Sequence, residues 1–364
     1  MQRNYNKNMS FMQEFSEKIS EENNAPIFSE KKKKTNYLAF IEREIGNHAK
    51  AERLEICGTS LVFEKAEEGL HLVFGNFCRV RLCPMCAWRR TAKLQAQMLK
   101  ISEYLGEDYG FIFLTLTVKN CNADDLRATL NKLQHAWQKF KNYKQIKKIM
   151  RGYYRGIEVK YDSDELITEK RYNRAKAYYE RQGLRPGDKN PNYEKCHPHY
   201  HVIIAVPRSY FTSRDYIRQE TFREIWQNCL NVDYTVQVNV QAVKPRRPDD
   251  KGVRSAVNEV TKYAVKDTDY LTGDYHVDTR AVAHLERQLH DLRFVSLGGC
   301  FKAAHAALNL TDYDDPDGDA PTTLSDASKL VAFCWHVGVS RYNEDPPYVK
   351  AYMDYEAARK QQKN

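Results

Sequence analysis

Cys196-His197-Pro198-His199-Tyr200-His201-Val202-Ile203-Ile204-Ala205-Val206 is the stretch that decides the fold. Successive side chains of a strand point to opposite faces, so His197, His199 and His201 share one face, and the apolar residues after them predict a buried central strand. Two imidazoles on one strand, with a carboxylate from a neighbouring strand, can bind a metal and leave coordination positions for a substrate. The stretch therefore predicts a divalent metal site; a strand end with solvated histidines is the alternative.

The composition favours a folded protein with a polyanionic partner. Of 364 residues, 42% are hydrophobic and 12% aromatic, and the formal net charge is +9. The first 20 residues carry no apolar signal-peptide core, and no run of about 18 apolar residues is present that would span a membrane. We therefore expect a cytoplasmic protein with no membrane partner, whose nine cysteines are metal ligands or core residues rather than disulfides.

Residues 1–45 form the first of four predicted regions. They are polar, lack apolar periodicity and end in the run Lys31-Lys32-Lys33-Lys34, which predicts a flexible basic arm. Such an arm can rest on a DNA backbone or stay solvated, and both interpretations remain open at this point.

Residues 46–105 form a Cys-rich region that we expect to bind zinc and contact DNA. Cys83-Pro84-Met85-Cys86 follows a predicted hairpin, and with Cys57 and Cys78 it supplies four thiolates, enough for a structural tetrahedral zinc. A redox or purely structural Cys-x-x-Cys pair is the alternative, and a zinc deaminase is disfavoured because its His-x-Glu partner is missing upstream. The candidate phosphate ligands around this motif are Arg79, Arg81, Arg89 and Arg90.

Residues 106–275 contain the strands expected to surround the histidines. An apolar strand is predicted at 111–118 and another at 155–161, each followed by charged or helical segments. Antiparallel pairing of the second strand with the histidine strand would set Glu158 beside the imidazoles. Glu158 is therefore the candidate third metal ligand, with an exposed strand carboxylate as the alternative.

A predicted helix over 253–266 brings together a second chemical group. Glu259, Lys262, Tyr263 and Lys266 stand at i, i+3, i+4 and i+7, so they share one face. A phenol needs about 4 kcal/mol to become mainly ionised at neutral pH, and lysines or a metal ion lower that cost. Tyr263 is the candidate nucleophile and Glu259 the candidate general base. Lys266 is a further candidate catalytic group, and Lys262 is a candidate DNA contact. The alternative is that Tyr263 is an ordinary tyrosine on the helix surface.

Three motifs in this order resemble those of plasmid rolling-circle replication initiators, which belong to the HUH endonucleases. They are Phe113-Leu114-Thr115-Leu116-Thr117, His197-Pro198-His199-Tyr200-His201-Val202 and Glu259-Val260-Thr261-Lys262-Tyr263-Ala264-Val265-Lys266. The likeness is to the class that has a Glu and a single Tyr in the last motif, and it spans roughly residues 50–310. Tyr270 lies seven residues after Tyr263 rather than the usual four of a tyrosine pair, so we expect it to be non-catalytic.

The resemblance implies an α+β fold with a central antiparallel sheet flanked by helices, in which residues 106–275 are the HUH nuclease domain and the Cys-rich module precedes it. It implies a Mg²⁺ or Mn²⁺ ion held by His199 and His201, with Glu158 matching the strand carboxylate of related nucleases; the role of His197 stays open. It also implies that Tyr263 nicks one strand of the double-strand origin and forms a 5′-phosphotyrosine bond. The implied partners are single-stranded and supercoiled plasmid origin DNA and a host helicase with its replication machinery, and a homo-oligomer is allowed.

Two other functions remain open on the sequence. A tyrosine HUH transposase or relaxase would use the same machinery, although relaxases more often place the tyrosine near the N-terminus. A zinc-dependent DNA-binding regulator would use the Cys-rich module without catalysis. Residues 276–364 are predicted to be a helical C-terminal region, for which the sequence suggests no chemistry.

Overall fold

A computed structural model describes residues 26–66, 69–243, 256–257, 261, 265–312 and 329–361. The chain divides into two compact units, one formed by Met1–Arg90 with Thr311–Asn364 and the other by Thr91–Leu310. Each unit has its own antiparallel sheet accompanied by helices. The mixed α+β class and the antiparallel sheets expected from the sequence are therefore confirmed.

The secondary structure of the described residues follows in chain order. The helices are α1 (Pro26–Glu44), α2 (His48–Ile56), α3 (Pro84–Leu105), α4 (Leu126–Asn142), α5 (Lys144–Ile149), α6 (Glu169–Arg174), α7 (Lys176–Arg181), α8 (Gln219–Leu230), α9 (Tyr275–Leu289), α10 (Cys300–Ala307) and α11 (Pro346–Gln361). The strands are β1 (Ser60–Ala66), β2 (Gly69–Gly75), β3 (Tyr109–Thr117), β4 (Cys121–Asn122), β5 (Gly152–Tyr161), β6 (Lys195–Pro207), β7 (Val238–Val243), β8 (Val295–Gly299), β9 (Leu330–His336) and β10 (Arg341–Glu344). Within these residues no helix is both long and apolar enough to cross a membrane.

The second unit is built around β6, the strand that carries the histidines. Its sheet has the order β7-β3-β6-β5-β8, and β4 also pairs with β6. On one face of β6, Tyr200 packs near Trp137 of α4 and Trp226 of α8, with ring centroids 6.3 and 6.4 Å away. All three side chains are buried, and burial of each apolar side chain of this kind contributes about 1.5–3 kcal/mol. The opposite face is therefore left to the histidines.

The predicted flexible arm is wrong for residues 26–44, which form α1. Its inner face carries buried apolar side chains at roughly helical spacing, among them Phe28, Leu38 and Ile41. The ring of Phe28 meets those of Phe63 and Trp88 at 5.4 and 4.7 Å. The lysine run hid this pattern in the sequence, because one of its lysines is itself buried. Residues 1–25 of the predicted arm lie outside the described residues.

The predicted C-terminal helical region is also corrected, because residues 276–364 divide between the two units. Helix α9, strand β8 and helix α10 belong to the second unit, in which β8 pairs with β5. Strands β9 and β10 and helix α11 belong to the first unit, whose sheet has the order β10-β9-β1-β2. Strand β9 pairs with β1 from Ser60 opposite Cys334 to Glu64 opposite Leu330, and this pairing joins segments far apart in the chain.

The link from β8 to α10 depends on a glycine. Gly299 has a φ of 56°, and a Cβ there would clash with the backbone of Arg151 and Gly152. Gly183, in the same unit, has a φ of 68° but no atom within 4 Å of such a Cβ. Comparing substitutions at Gly299 and Gly183 therefore distinguishes the cost of steric overlap from the cost of a positive φ.

We expect Gly299→Ala to lower the free energy of unfolding by at least about 2 kcal/mol more than Gly183→Ala. Both variants place an alanine at a positive φ, which costs about 1–3 kcal/mol, but only the first also forces two backbone segments apart. Urea unfolding followed by circular dichroism measures both losses. Equal losses would mean that the backbone beside Gly299 relaxes freely.

Candidate metal centres and active site

Two groups of ligand-type side chains converge within the described residues. One consists of Glu158, His199 and His201, and the other of Cys57, Cys78, Cys83 and Cys86. In each group the ligand atoms lie within 4.8 Å of one another and every member is buried. The first group lies in the second unit and the second group in the first unit.

The register between two strands brings Glu158, His199 and His201 together. Strands β5 and β6 pair so that Glu158 stands opposite His199, as the predicted antiparallel pairing required. Glu158 Oε2 lies 2.9 Å from His201 Nε2 and 3.3 Å from His199 Nε2, and the two Nε2 atoms are 3.1 Å apart. Adjacent ligands of an octahedral ion with bonds of about 2.1 Å are separated by about 3 Å. The spacing therefore fits one divalent cation held by all three side chains.

The charge state of Glu158 suits the same role. Burial alone would raise its pKa, but hydrogen bonds and charge interactions with His199 and His201 outweigh burial and hold the pKa well below its usual range. The group therefore offers a carboxylate oxygen and two imidazole nitrogens, donors that suit Mg²⁺ or Mn²⁺ when further positions are filled by water or phosphate oxygen.

Neighbouring groups orient the two imidazoles. His201 Nδ1 lies 3.3 Å from Thr115 Oγ1, and His199 Nδ1 lies 3.2 Å from the His197 carbonyl oxygen. A metal-binding histidine normally donates its second ring nitrogen to such an acceptor, which fixes the tautomer and ring orientation. The ring of Phe113 also stacks on His201, 5.5 Å between centroids. Both Nε2 atoms are thereby directed at Glu158.

His197 lies outside this group although it shares the strand. Its Nδ1 is 2.7 Å from Asn120 Oδ1, and Asn120 in turn donates to Asn192 Oδ1 at 2.9 Å. Burial, with the charges of His199 and Lys160, lowers the pKa of His197 to about 4, so its imidazole is neutral at physiological pH. Asn120 could not be found from the sequence, because a single amide in a loop has no periodicity or spacing to mark it.

Lys266, at the end of the third motif, lies beside the group formed by Glu158, His199 and His201. Lys266 Nζ lies 3.6 Å from Glu158 Oε1, so this predicted residue is near the two histidines. Glu259, Lys262 and Tyr263 lie outside the described residues, as does most of the predicted helix over 253–266. Tyr270 is buried.

Asp269 is a carboxyl group beside Lys266 that the sequence analysis did not single out. Burial raises its pKa to about 6, against the opposing charges of Lys266 and Lys160. Its only sequence signal was a short acidic segment directly after the third motif.

The four cysteines have the spacing of a metal centre rather than of disulfides. The Cys57–Cys83, Cys57–Cys86 and Cys78–Cys86 sulfur atoms are each 3.6 Å apart, whereas a disulfide bond is about 2.05 Å long. Tetrahedral zinc with Zn–S bonds of about 2.3 Å requires sulfur atoms about 3.8 Å apart. The donor set therefore fits zinc.

Backbone amides point at two of these sulfur atoms. The amide of Cys78 donates to Cys57 Sγ and that of Val80 to Cys78 Sγ, both at 3.4 Å. Hydrogen bonds with Cys78, Cys83 and Cys86, together with burial, raise the pKa of the metal-free Cys57 thiol well above its usual range. Cys57 must therefore lose a proton to bind a metal, so we expect metal binding here to release protons.

The arginines around the cysteine motif differ in exposure, and one prediction is corrected. Arg89 is only 7% exposed, with its guanidinium 5.0 Å from the centre of the Phe77 ring, so it packs inside the unit instead of meeting phosphate. Arg90 donates to the Arg81 carbonyl oxygen at 2.9 Å. Arg79 is exposed and remains a candidate phosphate contact.

Comparisons with known proteins agree on one family. Residues 69–343 match the family described as replication protein. A "Protein rep" of Bacillus amyloliquefaciens is 31% identical over 86% of this chain and 92% of its own length. One of Lactiplantibacillus plantarum is 32% identical over 87% and 98%, and one of Streptococcus pneumoniae is 30% identical over 84% and 88%. No solved structure matches the chain.

We expect Cys83→Ser to lose the bound zinc and to lower the melting temperature. A hydroxyl is a poor zinc ligand, and structural zinc contributes directly to folding free energy. Zinc is measured by elemental analysis of the purified protein after dialysis. Cys334→Ser is the control, because Cys334 belongs to the same unit but not to the group of four; unchanged zinc content in Cys83→Ser would rule out the cysteine site.

Proposed function

The chain belongs to the replication protein family of plasmid replication initiators, and we propose that it starts and ends rolling-circle replication by nicking and rejoining one DNA strand at the origin. The observation that carries the proposal is the convergence of Glu158, His199 and His201 on the central strand pair, with Lys266 beside them. A regulator that only binds DNA has no use for a buried carboxylate–imidazole group of this kind.

Glu158, His199 and His201 would hold the metal ion in this mechanism. A bound Mg²⁺ or Mn²⁺ supplies a Lewis acid for the scissile phosphate. The protein residues supply the ion's position: β6 and its neighbours carry the three ligands on one face, while Thr115 and the His197 carbonyl fix the rings.

Tyr263 is the proposed nucleophile. It is three residues from Lys266, and three residues span at most about 11 Å of chain. Because Lys266 Nζ lies 3.6 Å from Glu158 Oε1, the chain tethers the tyrosine to the surroundings of the ligand group. Lys266 and Lys262 carry positive charges that favour the phenolate over the phenol.

The proposed nicking step is a phosphoryl transfer. The Tyr263 oxygen bonds to phosphorus and the bond from phosphorus to the 3′ oxygen breaks, so the enzyme keeps the 5′ phosphate and a 3′ hydroxyl is released. The phenol proton passes to solvent, and the leaving oxygen gains a proton. The phosphotyrosine bond retains the energy of the phosphodiester for rejoining.

The released 3′ end defines the partners that this function needs. It has to be extended by a polymerase while the parental strand is unwound, so the proposal requires a host helicase and replication machinery. The substrate is an origin whose strand is accessible, and negative supercoiling favours such strand separation. When the origin is copied, Glu259 takes a proton from a water whose oxygen bonds to the phosphorus of the regenerated origin, and the bond from that phosphorus to its 3′ oxygen breaks. The freed 3′ hydroxyl then attacks the phosphotyrosine, its bond to phosphorus closes the parental strand, and the Tyr263 oxygen leaves and regains a proton.

We expect Tyr263→Phe to bind origin DNA as tightly as the parent protein and to lose nicking by at least about 1,000-fold, because the attacking oxygen is gone. The measurement incubates supercoiled plasmid carrying the origin with Mn²⁺ and follows open-circular DNA and the covalent protein–DNA adduct. Tyr270→Phe is the control and should keep both products. An adduct formed by Tyr263→Phe would identify another nucleophile.

For Glu259→Ala we expect normal nicking but failed termination, because the nucleophile is intact while the base for the final water is missing. Plasmid DNA from cells that express this variant should accumulate as linear multimers, visible on a gel probed for the origin. Glu286→Ala, on helix α9, is the control. Monomeric plasmid in the Glu259→Ala strain would remove this residue from the mechanism.

A further inference from the structure

We propose that Lys32 is the charge partner of the four-cysteine centre, a buried ammonium that compensates the negative charge of metal-bound thiolates. The proposal rests on metal binding by the cysteines and is independent of DNA nicking. It makes Lys32 a positioning residue that acts on the metal through its charge, not a ligand.

Lys32 is the one lysine of the run 31–34 that the fold buries completely, with 0% of its side chain exposed. Its ammonium donates to the carbonyl oxygens of Glu55, at 2.6 Å, and Leu54, at 3.4 Å. Both carbonyls lie in the last turn of α2, two and three residues before Cys57. Its neighbour Lys33 is 49% exposed and pairs with Glu30 at 2.8 Å.

Among the described residues no carboxylate forms an ion pair with Lys32. The side chain of Glu55 points to Arg43 instead, at 2.5 Å. An ammonium removed from water is costly when its partners are only neutral carbonyl dipoles, and natural proteins pair such charges. We therefore expect a negative charge near the Lys32 ammonium.

The four cysteines supply that charge when they bind a divalent metal. Four thiolates and one Zn²⁺ carry a formal charge of −2. Burial lowers the pKa of Lys32, while the charges of Cys57, Cys83 and Cys78, followed by that of Glu55, oppose that shift. The positive charge of the ammonium and the negative charge of the metal-bound cysteines therefore attract each other inside one low-dielectric region.

The same helix makes a second contact with the centre. Thr35, one turn after Lys32, places Oγ1 3.6 Å from Cys83 Sγ and accepts the amide of Met85 at 3.3 Å. The single hydroxyl hydrogen of Thr35 is donated to the Lys31 carbonyl oxygen at 2.8 Å, so the hydroxyl oxygen lies beside the sulfur atom without a hydrogen left for it. Helix α1 therefore faces the centre with both a charge and a hydroxyl group.

The test compares Lys32→Met with Lys33→Met in the full-length protein loaded with zinc. The first measurement is the rate of zinc transfer to excess EDTA, followed with a metallochromic dye. We expect Lys32→Met to release zinc about 10-fold to 100-fold faster, the range typical of lost outer-shell partners, and Lys33→Met to stay within about twofold.

The second measurement is the melting temperature with zinc and after zinc removal. We expect Lys32→Met to lower it with zinc bound and to leave it equal or higher without zinc, because the metal-free protein buries an ammonium without a charge partner. If Lys32→Met does not fold, Lys32→Gln, which keeps hydrogen-bond donors without the charge, is measured in the same way.

Three results with the variants would overturn the proposal: an unchanged release rate, an equal loss of melting temperature with and without zinc, or failure of both variants to fold in either condition. The last two would assign Lys32 to packing alone. A parent protein that holds no zinc would overturn it too, and would leave the nicking proposal untouched.

Discussion

The pairing of β6 with β3 and β5 on its two sides is the constraint on which the second unit depends. Both ladders run along most of the strand, so its backbone groups are satisfied and its register is set twice. Because side chains alternate, a shift by one residue would turn His199 and His201 into the core and expose Tyr200. The apolar face packed on α4 and α8 prevents that shift, and so core packing also positions the imidazoles.

The two ligand groups differ in chemistry and in what surrounds them. The oxygen and nitrogen donors of Glu158, His199 and His201 suit a hard cation that keeps positions for a substrate, whereas four thiolates suit zinc in a closed structural site. The cysteines come from a loop, the end of α2 and the start of α3, which zinc would tie together. The histidine group, by contrast, is already positioned by a sheet.

Buried charges explain several contacts that otherwise look unrelated. Glu158 remains ionised in the interior because hydrogen bonds and charge interactions with two imidazoles lower its pKa, and Lys266 Nζ lies 3.6 Å from its other carboxylate oxygen. Lys32 is buried beside a centre that becomes negative when metal is bound. In both places the fold brings opposite charges together from segments that are distant in sequence, which offsets part of the cost of removing each from water.

Local pattern was enough to determine β6, the shared face of its histidines, the β1–β2 hairpin and the Cys83-Pro84-Met85-Cys86 motif, because strand alternation and short spacings are properties of neighbouring residues. Glu158 could be placed beside the histidines only by assuming that its strand pairs with theirs, and the structure shows that it stands opposite His199. Only the tertiary structure decided that Lys32 and Arg89 are buried, that His197 bonds to Asn120, and that β9 and β10 complete the sheet of the first unit. Those outcomes depend on which distant segments pack together. From the sequence alone, a charged side chain is expected to be exposed, and a strand near the C-terminus is not expected to join an N-terminal sheet. Only the structure shows which segment covers that side chain or pairs with that strand.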